Sequence, residues 1–284
     1  MSKHNCLLSM CTGVYERQSL ERALCGIHNA GFERIELACV VGYAEHLVPE
    51  MMKEEDYGHV ERVLEEFAIA VQSINGHVSL IGKSTVPGVL KTLSTDEIMQ
   101  LWKNRIDFAA RLGVKVVNNS VGELQTNDDY DAFYKCMETV EDYCSSRGVK
   151  IALETHGSMT GKKFRPIMEK LNSKWIGINY DTANVRYYEN VQAEDDIENV
   201  VDWIFTIHIK DHIGGKGDFN FPAVGDGEVH FHQIFRILKK HDWKGPVSAE
   251  IEYEGPGAPK RPPDRIDIDV KRSYDYATRL LERY

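Results

Sequence analysis

No uninterrupted apolar run in these 284 residues approaches the roughly 20 needed to cross a bilayer, and none of the six cysteines pairs with another as CxxC. The first absence argues against a membrane partner, the second against a zinc ribbon or a thioredoxin-like redox pair. The opening segment MSKHNCLLSMCTG holds too short an apolar stretch for a secretory leader. The chain is therefore expected in the cytoplasm, its cysteines buried or half-buried thiols. Positive charge is also in short supply, with 34 Lys and Arg against 44 Asp and Glu. A net charge of −10 does not suit a surface that neutralises nucleic-acid phosphates, although a local pocket can differ in sign from the whole. Low-complexity tracts and Ser/Gly-rich linkers are missing too, so residues 1–284 read as one domain. No GxGxxG follows the first apolar run, which disfavours an open dinucleotide-binding sheet.

What the chain has is alternation. Short β-branched runs are followed by longer stretches of helical periodicity, the pattern of parallel strands joined by crossover helices. The runs predict strands at Leu7 to Cys11, Arg34 to Leu37, Ala70 to Asn75, Val114 to Asn118, Lys150 to Glu154, Trp175 to Asp181, Ile204 to Lys210 and Val247 to Ile251. Gly31, Gly113 and Gly148 each stand just before a strand, where a glycine commonly closes the preceding helix in a left-handed conformation. Ser94-Thr95-Asp96-Glu97 and Asn127-Asp128-Asp129 read as helix starts. Eight strands with eight helical segments predict an α/β fold, a closed (β/α)8 TIM barrel of a length that suits this chain.

Four strongly liganding side chains lie at or near the C-terminal ends of the last four predicted strands: Glu154, Asp181, His208 and Glu250. In a barrel these ends converge on one face. Three carboxylates brought together there would resist ionisation, and a divalent cation removes that conflict. An oxygen-rich set with one imidazole suits Mn²⁺ first, with Mg²⁺ or Co²⁺ as alternatives, better than a structural zinc.

The segments IALETHG (151–157), GINYDTANV (177–185), IHIKDH (207–212), AVGDGEVHF (223–231) and VSAEIEY (247–253) resemble the sugar phosphate isomerase/epimerase family, a branch of the xylose isomerase-like barrel superfamily. The resemblance implies one metal held by Glu154, Asp181, His208 and Glu250, with Glu154 and Glu250 doubling as an acid/base pair. Ketose 3-epimerases of this superfamily usually carry His three residues after the metal-binding Asp, and here that position is Asn184. The superfamily also holds inosose and dehydroshikimate dehydratases. Its apurinic-site endonucleases use a richer set of His ligands, which Asn184 and the acidic charge disfavour.

Such a site implies an isomerase or epimerase acting on a keto-sugar or related polyol through an enediolate. Elimination of a leaving group from the same species, lyase chemistry, is the alternative. His156 has the facing of Glu154 and is expected to serve as a substrate ligand or second base, or else as a hydrogen-bond donor behind the ligands. His77, Asn118, Asn184 and Lys210 are candidate substrate contacts. An ion pair with Asp211 is the plainer role for Lys210, and Glu36 is expected either inside the barrel or in a packing salt bridge. The loop 214–231, rich in Gly and with Phe219 and Phe221, is a candidate lid, and the stiff segment 255–263 could border the site or an oligomer contact. A homo-oligomer is left open; a small carbohydrate is the expected partner.

Overall fold

The computed structural model describes residues 7–40, 43–81, 93–253 and 264–284; segment 255–263 lies outside the described residues. Eight strands are present among the described residues: β1 (Leu8–Cys11), β2 (Arg34–Ala38), β3 (Ala70–Asn75), β4 (Val116–Asn119), β5 (Lys150–Glu154), β6 (Ile176–Asp181), β7 (Ile204–Lys210) and β8 (Val247–Glu250). Each pairs in parallel with its neighbours in sequence, and β8 pairs with β1, so the barrel closes. The helices are α1 (Leu20–Ala30), α2 (Glu54–Glu66), α3 (Thr95–Arg111), α4 (Asn127–Arg147), α5 (Gly161–Leu171), α6 (Asn184–Glu189), α7 (Ala193–Asp196), α8 (Phe231–Lys240) and α9 (Arg265–Leu281). Among the described residues no helix is long and apolar enough to cross a membrane.

The strand ends differ from expectation where local bonds compete with the sheet. β4 begins at Val116 rather than Val114, because the Val114 amide donates back to the Ala109 carbonyl and closes α3. β6 begins at Ile176, just after a turn in which Ser173 Oγ accepts from the amides of Trp175 and Ile176. The helix boundaries follow their caps. Ser94 and Glu97 form a reciprocal capping box on α3, and Thr126 and Asp129 do so on α4. Gly31 and Gly148 end α1 and α4 in the left-handed region, and Gly113 follows α3 with φ +73°.

Alternation along each strand separates two environments. The outward side chains Ile35, Leu37, Ile151, Leu153, Ile178, Ile207 and Ile209 are fully buried beneath the helices. Such burial contributes roughly 1.5–3 kcal/mol per side chain. Helix α8 supplies the matching stripe, Phe231, Ile234, Phe235 and Leu238, at the i, i+3, i+4, i+7 spacing of one helix face. The interior is different. Glu36, Ser73, Asn118, Asn179, Thr206 and His208 are all buried, and hydrogen bonds run across the barrel between β2 and β7 and between β4 and β7. Barrel interiors are usually filled by branched aliphatics. Here the layers under the C-terminal ends of the strands are polar and mutually hydrogen-bonded.

The loops after β3 and β4 meet at a bridge between Ile81 and Gly122. Gly122 has φ +78°, and a Cβ there would lie 1.8 Å from the Ile81 carbonyl oxygen. Only glycine fits both the conformation and the approach, and the contact fixes the segment that carries His77.

Candidate metal centre

Glu154, Asp181 and Glu250 are the last residues of β5, β6 and β8, and His208 lies two residues before the end of β7. Asp181 and His208 are paired in register, as are Lys210 and Glu250. One ligand atom each from Glu154, Asp181 and His208 lies within 4.8 Å of the others. Nδ1 of His208 is 3.2 Å from Glu250 Oε2 and 3.8 Å from Asp181 Oδ2. The four side chains that the sequence brought forward therefore surround one point.

Local bonds hold each in place. Asp181 Oδ1 accepts the amides of Ala183 and Asn184, both at 2.8 Å, which turns Oδ2 toward the centre. The Thr155 hydroxyl accepts the Asp181 amide, and the Thr182 hydroxyl accepts the amide of Lys210. Glu154 Oε1 accepts from Asn184 Nδ2 at 2.9 Å, and its Oε2 is 3.7 Å from His77 Nδ1. Asn75 Nδ2 donates to Glu250 Oε1 at 3.5 Å.

The donor set fits a divalent ion. Asp181 Oδ2 and His208 Nδ1 are buried and without a hydrogen bond in the structure, a state that costs about 1–3 kcal/mol per group unless something engages them. Carboxylate oxygens with one imidazole nitrogen suit a hard or borderline cation. Glu154, Asp181, His208 and Glu250 are the residues that would hold it.

The charges around the point are strongly coupled. Burial opposes ionisation of Glu250, but Lys210 and His208 outweigh it and hold the carboxyl well below its usual range. Glu154 is also lowered: burial works against it, while the His77 hydrogen bond and the His208 charge prevail. Burial dominates at Asp181 and Glu252 and raises both, although Lys210 pulls the other way. Burial drives His156 down to about 3, with the charge of His77 adding to the effect, so this imidazole is neutral at ordinary pH.

Lys210 is buried and sits among the acids. Its Nζ is 3.3 Å from Glu250 Oε2 and 3.7 Å from Asp181 Oδ2, pairs with Glu252, and donates to Asn184 Oδ1 at 3.3 Å. The Phe221 ring lies 4.5 Å from it. The expected ion pair with Asp211 is not formed. Consecutive residues point to opposite faces, and Asp211 instead accepts the amides of Gly225, Gly227, Val229 and His212. Those bonds fold the loop 214–231, where Phe219 and Phe221 pack edge-on at 4.9 Å and both contact Tyr187.

His156 and His77 stand beside Glu154, their rings 4.5 Å apart and edge-on. His156 Nε2 pairs with the Tyr188 hydroxyl at 2.9 Å. Asn118 lies deeper, its amide taken up by Glu36 and Thr206. Sequence reasoning missed Tyr188 and Glu252. Tyr188 belongs to α6, a helix too short to show periodicity. Glu252 shares the parity of Glu250, a signal that could have found it.

A family model described as xylose isomerase-like TIM barrel matches residues 27–274. The L-ribulose 3-epimerase of Methylomonas sp. is 22% identical over 257 residues, covering 84% of this chain and 80% of that protein. A putative L-ribulose-5-phosphate 3-epimerase of Haemophilus influenzae is 24% identical, covering 55% of this chain and 58% of that protein. An inosose dehydratase of Glaesserella parasuis is 23% identical over 56% of this chain and 65% of its own length. The chain thus spans little more than half the length of several curated relatives. Among solved structures, an L-ribulose 3-epimerase superposes with a TM-score of 0.74 at 17% identity, covering 98% of this chain and 95% of that one. A barrel protein from Mycobacterium smegmatis in complex with magnesium gives 0.74 at 14% identity, covering 99% and 98%.

Proposed function

The chain belongs to the xylose isomerase-like TIM barrel family, and from that premise we propose that it is a divalent-metal-dependent sugar isomerase or epimerase that moves a proton at a carbon next to the carbonyl of a keto-sugar or related polyol. The observation that carries this reading is the convergence of Glu154, Asp181, His208 and Glu250 on one point, where Asp181 Oδ2 and His208 Nδ1 are buried and lack hydrogen bonds. A bound divalent ion would supply Lewis acidity to the substrate carbonyl. The chain supplies the rest. One glutamate takes the proton from carbon and the other returns a proton to it. Asn184 fixes the orientation of Glu154, and Asn75 that of Glu250. Neutral His156, held by Tyr188, offers a hydrogen-bond partner for a substrate hydroxyl. Lys210 keeps Glu250 ionised and leaves the site less negative.

A second reading is elimination. It is supported by Asn184 at the position where ketose epimerases carry His, and by Glu252, whose carboxyl burial pushes toward the protonated form an acid for a leaving hydroxyl needs. The relatives carry both kinds of name, epimerase and dehydratase. One experiment separates them: incubate the Mn²⁺-loaded protein with a panel of keto-sugars and a keto-inositol in D₂O. Deuterium at the carbon beside the carbonyl, without an ultraviolet-absorbing product, supports isomerisation. An unsaturated chromophore supports elimination, and neither signal with any substrate counts against both.

A further inference from the structure

We propose that Glu36 is the positioning residue that presents His208 to the metal, acting from the opposite side of the barrel; this rests on the metal-site reading above. Glu36 stands in β2 and is fully buried. Its Oε1 lies 2.7 Å from His208 Nε2, and its Oε2 accepts from Ser73 Oγ at 2.6 Å and from Asn118 Nδ2. No Lys or Arg among the described residues forms an ion pair with it. A carboxylate buried without such a partner is expensive to keep and calls for a reason.

The reason lies in the imidazole. A carboxylate can only accept, so the bond to Glu36 places a proton on Nε2. An imidazole that ligates a metal is neutral, and with the proton on Nε2 its lone pair is on Nδ1. Nδ1 is the nitrogen that faces Asp181 and Glu250 and has no hydrogen bond. Glu36 thus selects both the tautomer and the ring angle that a cation at this point requires.

Glu36 is itself held. Asn118 Oδ1 accepts from Thr206 Oγ1 at 3.1 Å, and the same hydroxyl is 2.9 Å from Asn179 Oδ1. Strands β2, β3, β4, β6 and β7 each contribute a side chain to this layer. It therefore resists rotation of the carboxylate, and the carboxylate resists rotation of the imidazole.

The test measures Mn²⁺ affinity by calorimetry in wild type, Glu36→Gln, Glu36→Ala and Ser73→Ala, with Ile178→Val as a control that perturbs the outward core alone. Removal of such a supporting group is expected to weaken binding about 10- to 100-fold in the two Glu36 variants, less in Ser73→Ala, and not in the control. Affinities of folded Glu36 variants within about twofold of wild type would overturn the proposal and leave the metal site standing. Wild type that binds no Mn²⁺ would overturn the metal site itself. A second measurement uses the unaltered protein, so a variant that fails to fold cannot hide the answer. With ¹⁵N-labelled histidine in the Mg²⁺-loaded state, His208 is expected to give a protonated Nε2 and an unprotonated Nδ1. A proton on Nδ1, or Mg²⁺ contact at Nε2, would overturn the proposal.

Discussion

Asn184 hydrogen-bonds Glu154 at 2.9 Å with its amide nitrogen, while its amide oxygen accepts from Lys210. One neutral side chain thus links the carboxylate on β5 to the ammonium on β7. Replacing Asn184 by Ala releases both. Turnover is expected to fall about 10- to 100-fold, in line with the roughly 1–3 kcal/mol lost when buried polar groups are left unpaired. Mn²⁺ affinity should change little. A variant with wild-type kcat would show that Glu154 needs no such tether.

Glu154→Gln and Glu250→Gln keep shape and remove the base. Each is expected to lower turnover by about two to four orders of magnitude with an unchanged circular dichroism spectrum. Near-normal turnover in either would take that residue out of proton transfer.

His208→Ala removes the only imidazole among the four converging side chains. The purified wild-type protein is expected to carry about one divalent ion per chain, and the variant to lose it. A ligand at 100 times its Kd stabilises by about 2.7 kcal/mol, so a chelator should lower the Tm of wild type and leave that of the variant where it is. Equal metal content in both proteins would reject the ligand set.

His46 gives a pH dependence away from the site. Burial lowers its pKa below the usual 6.5, although its Nε2 pairs with the Thr12 carbonyl at 2.9 Å. As the pH falls below 6.5 the unfolded chain takes up this proton first, so folding stability drops. The slope from this one group is at most about 1.4 kcal/mol per pH unit. His46→Gln should flatten the decline of stability between pH 6.5 and 5, read by urea unfolding. An identical slope in the variant would mean that His46 protonates as readily in the folded protein.

Gly122→Ala tests the seam between the loops after β3 and β4. The added Cβ collides with the Ile81 carbonyl at a backbone angle that alanine avoids. A loss of about 1–3 kcal/mol is expected, a fall in Tm of several degrees. Unchanged stability would mean that the two loops can part freely.

Much of the candidate site could be read before any coordinates because the proposed ligands keep step with the βα repeat. Glu154, Asp181 and Glu250 close strands whose β-branched runs are unmistakable, and His208 shares the inward parity of its strand. What could not be read depends on closure. Nothing local in the run Arg34-Ile-Glu-Leu pairs Glu36 with a histidine five strands further on; that contact exists only once β8 meets β1. Lys210 and Asp211 teach the opposite lesson. Their opposed facings were legible from alternation, yet adjacency in sequence suggested a pair that the strand forbids.

The polar interior divides labour around the ring. All four candidate metal ligands come from the arc β5 to β8, whereas Glu36, Ser73 and Asn118 come from the arc β2 to β4. One arc grips and the other braces, with the strut between Glu36 and His208 spanning the bore. A fragment beginning at Lys150 would carry all four of these side chains without Glu36, Ser73 or Asn118 behind them. Strength of ion capture would then gauge whether the first arc is assembled, although that arc contributes none of the four gripping side chains.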